Sequence, residues 1–335
     1  MPIRKPLNSQ GKLLDIVGVV FSAVLVLVVG LVFLNRQAIY DYAQLLNYTP
    51  SAEIAELATQ TTMNDRSRRV FYVNQPVVQD KADFNVDCPN RGDEKTIVLG
   101  CYKGGQNGIF LLDVNDERLD GIKQVTAAHE LLHAEYERLS GDERRRIDAL
   151  LTDYFDTVLQ DKRIIETIDG YRKTEPFELK NEMHSIFATE IAVLPAELEA
   201  YYTRYFTDRS KIVGYATQYQ EEFTSRQTII AKTGITLERL KQQIDTAEAN
   251  LTVLQASISE RQQALEAQQR RGDIEGYNAG VPAYNALIDE FNRSARDVQS
   301  LVAQYNQVVA DRNAVASEIA ELSSALSTDA EQIDQ

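Results

Sequence analysis

The chain has 335 residues, 44% of them hydrophobic and 25% charged, which excludes wholesale disorder and suffices for about two domains at ~150 residues each. Fifty acidic residues against 35 basic ones leave a formal net charge of -15, and no basic, aromatic-studded patch interrupts it. A polyanion would be repelled, so no nucleic acid is expected among the partners.

Residues 1–12 carry Arg4, Lys5 and Lys12 and precede the run LLDIVGVVFSAVLVLVVGLVFL, from Leu13 to Leu34, in which Asp15 is the only charge. At ~1.5 Å per residue such a run crosses a ~30 Å hydrocarbon core, so residues 13–35 are expected to form a transmembrane signal-anchor helix. It is apolar all round rather than on one stripe, and no small-x-small cleavage site follows Phe33. The basic residues lie ahead of it while Asp41, Glu53 and Glu56 follow it, which predicts a cytoplasmic N-terminus and a main domain outside the cytoplasm of a single-pass cell-membrane protein.

Residues 36–50 read as a stalk with a short helix ending in Asn47-Tyr48-Thr49-Pro50, after which Ser51 caps a helix through Leu57. Three β-rich runs follow: Arg69–Val73, Thr96–Leu99, and Ile109–Val114 after Gly104-Gly105. A small sheet is expected from them. Cys88 and Cys101 are the only cysteines, and an extracytoplasmic location predicts a disulfide between them, worth roughly 3 kcal/mol by loop-closure entropy.

After Asp120-Gly121 the pattern turns helical through Val125, Leu132 and Leu139, and it stays helical to about Phe206, with a loop expected near Asp169-Gly170 and breaks at Pro176 and Pro195. Beyond Gly234 a heptad seam runs through Leu237, Leu240, Ile244, Ala247, Leu251, Leu254, Ile258 and Leu265, with Arg261 out of register. The stretch from Gly272 to Pro282 should break the helix before Tyr284, Ile288, Phe291, Ala295 and Val298 resume the spacing. An antiparallel hairpin over residues 233–330 is therefore expected, serving as a spacer or as a surface for self-association or a coiled-coil partner.

The chemistry concentrates on the helix after Gly121. His129 and His133 are one turn apart on one face, two of only three histidines in the chain, and can share one Zn2+ ion. Glu130 sits beside that ion as general base, taking a proton from bound water and passing it to a leaving amine, while zinc makes hydroxide available near neutral pH. A third ligand is expected from the later helical segment Asn181-Glu182-Met183-His184-Ser185-Ile186-Phe187-Ala188-Thr189-Glu190. Glu182 and Glu190 are rivals for it: at about 12 Å apart along a helix they cannot both bind one ion. His184 reads either as a donor to a developing oxyanion or as a satisfied helix residue, and Tyr171, Tyr201, Tyr202 and Tyr205 read as packing or as further donors.

With H-E-x-x-H at His129–His133 and Asn181-Glu182…Ser185 matching most of an N-E-x-x-S-D stretch, the chain resembles the gluzincin metallopeptidases. It is also similar to membrane-anchored bacterial proteins classed as metallopeptidases, with an H-E-L-L-H-A helix and an E-x-H-S-x-x-x-T-E helix; the likeness covers roughly residues 51–212. The resemblance implies His129, His133 and Glu182 as zinc ligands and Glu130 as general base. Two positions depart from the pattern: Ile186 stands where an aspartate would orient a ligand histidine, and Glu135 is charged where the helix usually turns hydrophobic.

The expected architecture is mainly α: an α+β zincin-like domain over residues 51–232, with a small sheet and active-site helices, between an N-terminal transmembrane helix and the C-terminal coiled-coil hairpin. The expected function is zinc-dependent hydrolysis of peptide or protein substrates outside the cytoplasm, through zinc-bound hydroxide, in a cleft whose wall is the exposed edge of Ile109–Val114. The competing expectation is a non-enzymatic envelope scaffold or peptide-binding protein, in which the zincin-like domain is degenerate and the hairpin is the interaction module.

Overall fold

A computed structural model describes residues 9–46, 48–89 and 98–327. The chain divides into two compact units, one holding everything through Val114 together with Asp120–Thr217, the other Asn115–Leu119 with Gln218–Ser327.

The first unit opens with helix α1, Ser9–Leu34, followed by α2, Arg36–Leu45. Among the described residues no single helix is long and apolar enough to cross a membrane; Gly18–Leu34 and Arg36–Leu45 pass that test together, as a pair bent by 64°. The expected stalk is a docked element. Asp41 of α2 forms a two-pronged ion pair with Arg138, at 2.8 and 2.9 Å, and Gln44 accepts a hydrogen bond from Gln75.

Ser51 caps α3, Ala52–Gln60, by accepting from the Ile54 amide, as its position before an apolar-periodic run implies. The expected strand at Arg69–Val73 is instead part of helix α4, Asp65–Val73. Asn64 caps it by accepting from the Ser67 amide, and Ser67, Val70 and Phe71 fall on one buried face, so capping and packing outweigh the β-propensity of Val-Phe-Tyr-Val. Strand β1, Val77–Gln79, and helix α5, Lys81–Asp87, follow, the latter capped by Asp80.

Strand β2 spans Gly100–Tyr102, beginning just after the expected Thr96–Leu99, of which residues 96 and 97 lie outside the described residues. Strand β3, Ile109–Leu112, matches its expectation but lies in the middle of the sheet, with order β1-β3-β2. It pairs parallel with β1 and antiparallel with β2. Its expected free edge is therefore absent, and β2 supplies an outer edge in its place. The Cys88–Cys101 disulfide ties the end of α5 to the middle of β2.

Helix α6, Ile122–Glu137, packs against α3, α4, β2, β3 and α9. Small residues at 127, 128 and 134, all alanine and all buried, allow that close approach on several sides. Helix α7, Gly141–Thr157, starts at a reciprocal cap between Ser140 and Glu143. Helix α8, Lys162–Thr174, runs through Asp169-Gly170 where a loop was expected, because the Asp161 cap and the buried Ile164 and Ile168 carry it past the glycine. Helix α9, Leu179–Glu190, lies against α6, and α10, Ala196–Tyr202, follows it. Arg209 caps the end of α9 by donating to the carbonyls of Ala188, Ile191 and Ala192.

In the second unit, α11, Arg209–Arg270, which begins in the first, pairs with α12, Ile274–Leu326. Leu265 lies against Gly280 near the bend, and Arg226 pairs with Glu318 far from it, a pattern only antiparallel helices give. The break is tighter than the sequence suggests. Gly272, at φ 71°, ends α11 with the Asp273 amide bonded to the Gln268 carbonyl, and Asp273 then caps α12. Pro282 lies inside α12. At the end of the unit away from the bend a short 3₁₀ turn, Glu117–Leu119, belongs to the same body through Arg118, which pairs with Asp116 and Glu321.

Candidate metal centre

Helix α6 brings His129, Glu130 and His133 together, and α9 lies across it. The 3.6-residue period stacks the two imidazoles on one face, with ring centroids 4.7 Å apart. Glu182 of α9 reaches between them: its Oε2 is 3.5 Å from His129 Nε2 and its Oε1 is 3.5 Å from His133 Nε2. One ligand atom from each of His129, His133 and Glu182 falls within 4.8 Å of the others, and His133 and Glu182 are buried while His129 is partly exposed. Glu190, the rival carboxylate, forms an ion pair with Arg163 at 2.6 Å instead.

A divalent ion suits this set on two grounds. Two imidazole nitrogens and one carboxylate oxygen are among the donor sets of catalytic zinc, and they leave a coordination position open. Moreover, Glu182 Oε2 is buried without a hydrogen-bond partner, a costly arrangement for a carboxylate unless a cation faces it. Burial alone would push the Glu182 carboxyl up, but His133, His129 and the Tyr171 hydroxyl outweigh it and hold the group below the usual carboxylate range. The charged form is the one a metal needs.

Glu130 is in a different setting. Burial is the main cause that raises its carboxyl to about 7; nearby Glu182 adds to the rise, while His133 and a backbone hydrogen bond from Tyr102 oppose it. That bond follows from the sheet. At the two ends of β2, Leu99 accepts from the Leu112 amide and Lys103 donates to the Gly108 carbonyl, so by antiparallel alternation the amides and carbonyls of Gly100 and Tyr102 point outward, toward α6. Gly100 is also required by space: a Cβ there would stand 2.5 Å from Thr126 Cγ2 and 2.8 Å from Glu130 Oε1. Farther along α6, Glu137 accepts from the Tyr102 hydroxyl and from the Gly105 amide at 3.1 Å, fastening the β2–β3 turn to the end of the same helix.

The remaining histidine points elsewhere. His184 is fully buried among Tyr136, Tyr201, Tyr202 and Tyr205, with ring centroids 5.3–5.9 Å away, and its Nε2 faces the Tyr201 hydroxyl at 3.0 Å. Tyr201 passes the network on to Tyr205 at 2.7 Å, and Tyr202 donates to the His184 carbonyl. Burial, with lesser contributions from His133 and His129, pulls the His184 imidazolium down to about 3, so the ring is neutral.

Both departures from the metallopeptidase pattern have local explanations. Ser185 Oγ lies 3.5 Å from His133 Nδ1, on the side away from Glu182, where the pattern would offer an aspartate. Glu135 turns from the His129–His133–Glu182 cluster toward α4, accepting from Ser67 Oγ at 3.1 Å and pairing with Arg66 at 3.3 Å. Sequence reasoning missed Gly100 and Tyr102, whose part is played by backbone atoms that no residue pattern announces.

No family model, curated protein or solved structure matches this chain.

Proposed function

We propose that the chain is a zinc metallopeptidase of the gluzincin kind, anchored by α1 with its main domain outside the cytoplasm. The convergence of His129, His133 and Glu182, with a buried and partnerless Glu182 oxygen at its centre, carries this reading. His129 and His133 would hold the ion through Nε2 and Glu182 through its carboxylate. Zinc, when bound, supplies Lewis acidity that makes water a nucleophile near neutral pH and polarises a scissile carbonyl.

The chain's own residues do the rest. Glu130, one position from a ligand histidine and with a carboxyl raised to about 7, is suited to take a proton at its Oε atoms and return it to a leaving amine. The outer edge of β2, whose Tyr102 amide already donates to Glu130, would offer its remaining outward backbone groups at Gly100 and Tyr102 to an extended substrate. His184, enclosed by tyrosines, has a structural role and no part in the chemistry. The membrane placement rests on the apolar run from Gly18 to Leu34, on the basic residues ahead of it, and on the Cys88–Cys101 disulfide, which needs an oxidising compartment.

Metal analysis and turnover of a generic protein substrate test the proposal together. The parent chain should carry one zinc, and His129→Ala and Glu182→Ala should each abolish both zinc and turnover. Glu130→Gln should keep the zinc and lose roughly 10²–10⁴-fold in turnover. A parent chain without zinc, or a Glu130→Gln variant with undiminished turnover, would refute it.

A further inference from the structure

Helix α2 has two opposed faces. One carries Asp41 and Gln44, which hold it to the first unit through Arg138 and Gln75. The other, half a turn round, carries Ile39, Tyr42 and Leu46, which remain exposed by 49%, 68% and 61% among the described residues. Three apolar side chains spaced i, i+3, i+7 on the outer face of a docked helix need an explanation. Covalent continuity supplies it: α2 begins two residues after the apolar α1 ends, and it is bent from it by 64°. If α1 runs along a bilayer normal, α2 lies closer to the plane of the surface than to that normal. The joint itself is built for a lipid–water boundary, since the Arg36 guanidinium sits over the Phe33 ring at 4.9 Å, an apolar ring with a charge able to reach headgroup phosphates.

We infer that α2 is an interfacial foot: its Ile39-Tyr42-Leu46 face rests in the headgroup–acyl boundary of the membrane that α1 crosses, and the Asp41–Arg138 pair fastens the active-site helix to it. Arg138 is the residue that ends α6, so the foot is tied directly to the element bearing His129, Glu130 and His133. The metal centre is thereby held at a fixed height over the lipid, and its substrates are protein segments that lie close to the membrane surface. A long flexible stalk would have allowed any height. This inference rests on the anchoring proposed above.

The chain contains no tryptophan, so single-tryptophan reporters are unambiguous. Full-length chain carrying Leu27→Trp or Tyr42→Trp is reconstituted into phosphatidylcholine–phosphatidylglycerol vesicles with bromines at graded acyl depths. Both substitutions are at exposed positions, so folding is not at stake. The Leu27→Trp chain should be quenched by deep bromines, and the Tyr42→Trp chain should lose about half its emission to the shallowest ones, as expected for a helix buried ~5–10 Å into the boundary. Quenching of the first reporter with the second unquenched would leave the span standing and overturn the foot, including the case in which a second copy or another protein covers that face and merely shifts the emission to the blue. Quenching of neither would overturn the anchor itself. The tie is read separately from Val193→Trp in the first unit: its limiting anisotropy on vesicles should fall when Asp41→Asn is added, and an unchanged value would overturn the fastening.

Discussion

Helix α9 buries a different chemistry on each side. Toward α6 it presents Glu182, whose carboxylate meets two imidazoles with one oxygen left unbonded. Two residues on, it presents His184 to four tyrosines, where the ring Nε2 and the backbone carbonyl both find hydroxyl partners. Both residues are polar and buried, and the contrast lies in what surrounds them. On the tyrosine side Nε2 and the carbonyl meet hydroxyls that can rotate to donate or accept, Nδ1 is buried with no hydrogen-bond partner among the described residues, and burial keeps the ring neutral. On the other side two imidazole nitrogens and a carboxylate turn lone pairs toward one another, and the Tyr171 hydroxyl offsets only part of that, so a cation or protons must reconcile the rest. Burial of a histidine thus says little about its role until the donors and acceptors around it are counted.

Substitution of His184 breaks this comparison most directly. His184→Ala removes a fully buried ring from a packed cage and should cost about 2–5 kcal/mol of stability, read as a lowered denaturant midpoint. The folded fraction should retain one zinc and the parental turnover per bound metal. A large fall in turnover with unchanged stability would put His184 into the chemistry and erase the distinction between the two faces of α9.

A milder probe sharpens the boundary between strand and helix. Gly100→Ala drives a Cβ into Thr126 and Glu130, both of which can shift as side chains, so a cost of about 1–3 kcal/mol is expected. Because Glu130 is the group displaced, turnover should fall further than stability does, with zinc content unchanged. Equal turnover in the folded fraction would mean that contact with β2 does not set the position of Glu130.

How much of this was legible beforehand follows the same division. The histidine pair could be read because His129 and His133 recur at helical spacing, whereas residue identity and periodicity left Glu182 and Glu190 as rivals and only the gluzincin resemblance pointed to Glu182, which the structure brings to the pair. The hairpin was legible for the same reason, its seam from Leu237 to Leu265 lying on the inward side of α11. What depended on long-range packing was not. Arg69–Val73 has strand propensity but becomes α4 once Asn64 caps it and Phe71 finds the core. Ile109–Leu112 was placed correctly as a strand, yet its central position depends on β1, a three-residue segment too short to register as a pattern. The tyrosine cage draws on residues from α6, α9 and α10 and on Tyr205, and no local spacing links His184 to Tyr136.

Ser185 stands on the boundary between the two faces, and its removal should give the smallest effect. Its hydroxyl lies 3.5 Å from His133 Nδ1, at the outer limit of a hydrogen bond, where a carboxylate would have held the ring more firmly and made it a stronger ligand. A neutral and distant partner orients the imidazole weakly. Ser185→Ala should therefore lower zinc affinity by about tenfold, the low end of what removing an outer partner of a metal-bound histidine does, without altering the fold. Ser185→Asp should act in the opposite direction and tighten zinc, since it brings a carboxylate toward His133 Nδ1 from the neighbouring position. Competition with a chelator at graded concentration resolves both changes. Equal affinity in the parent and Ser185→Ala would show that His133 is oriented by α6 alone, and that α9 contributes to the metal only through Glu182.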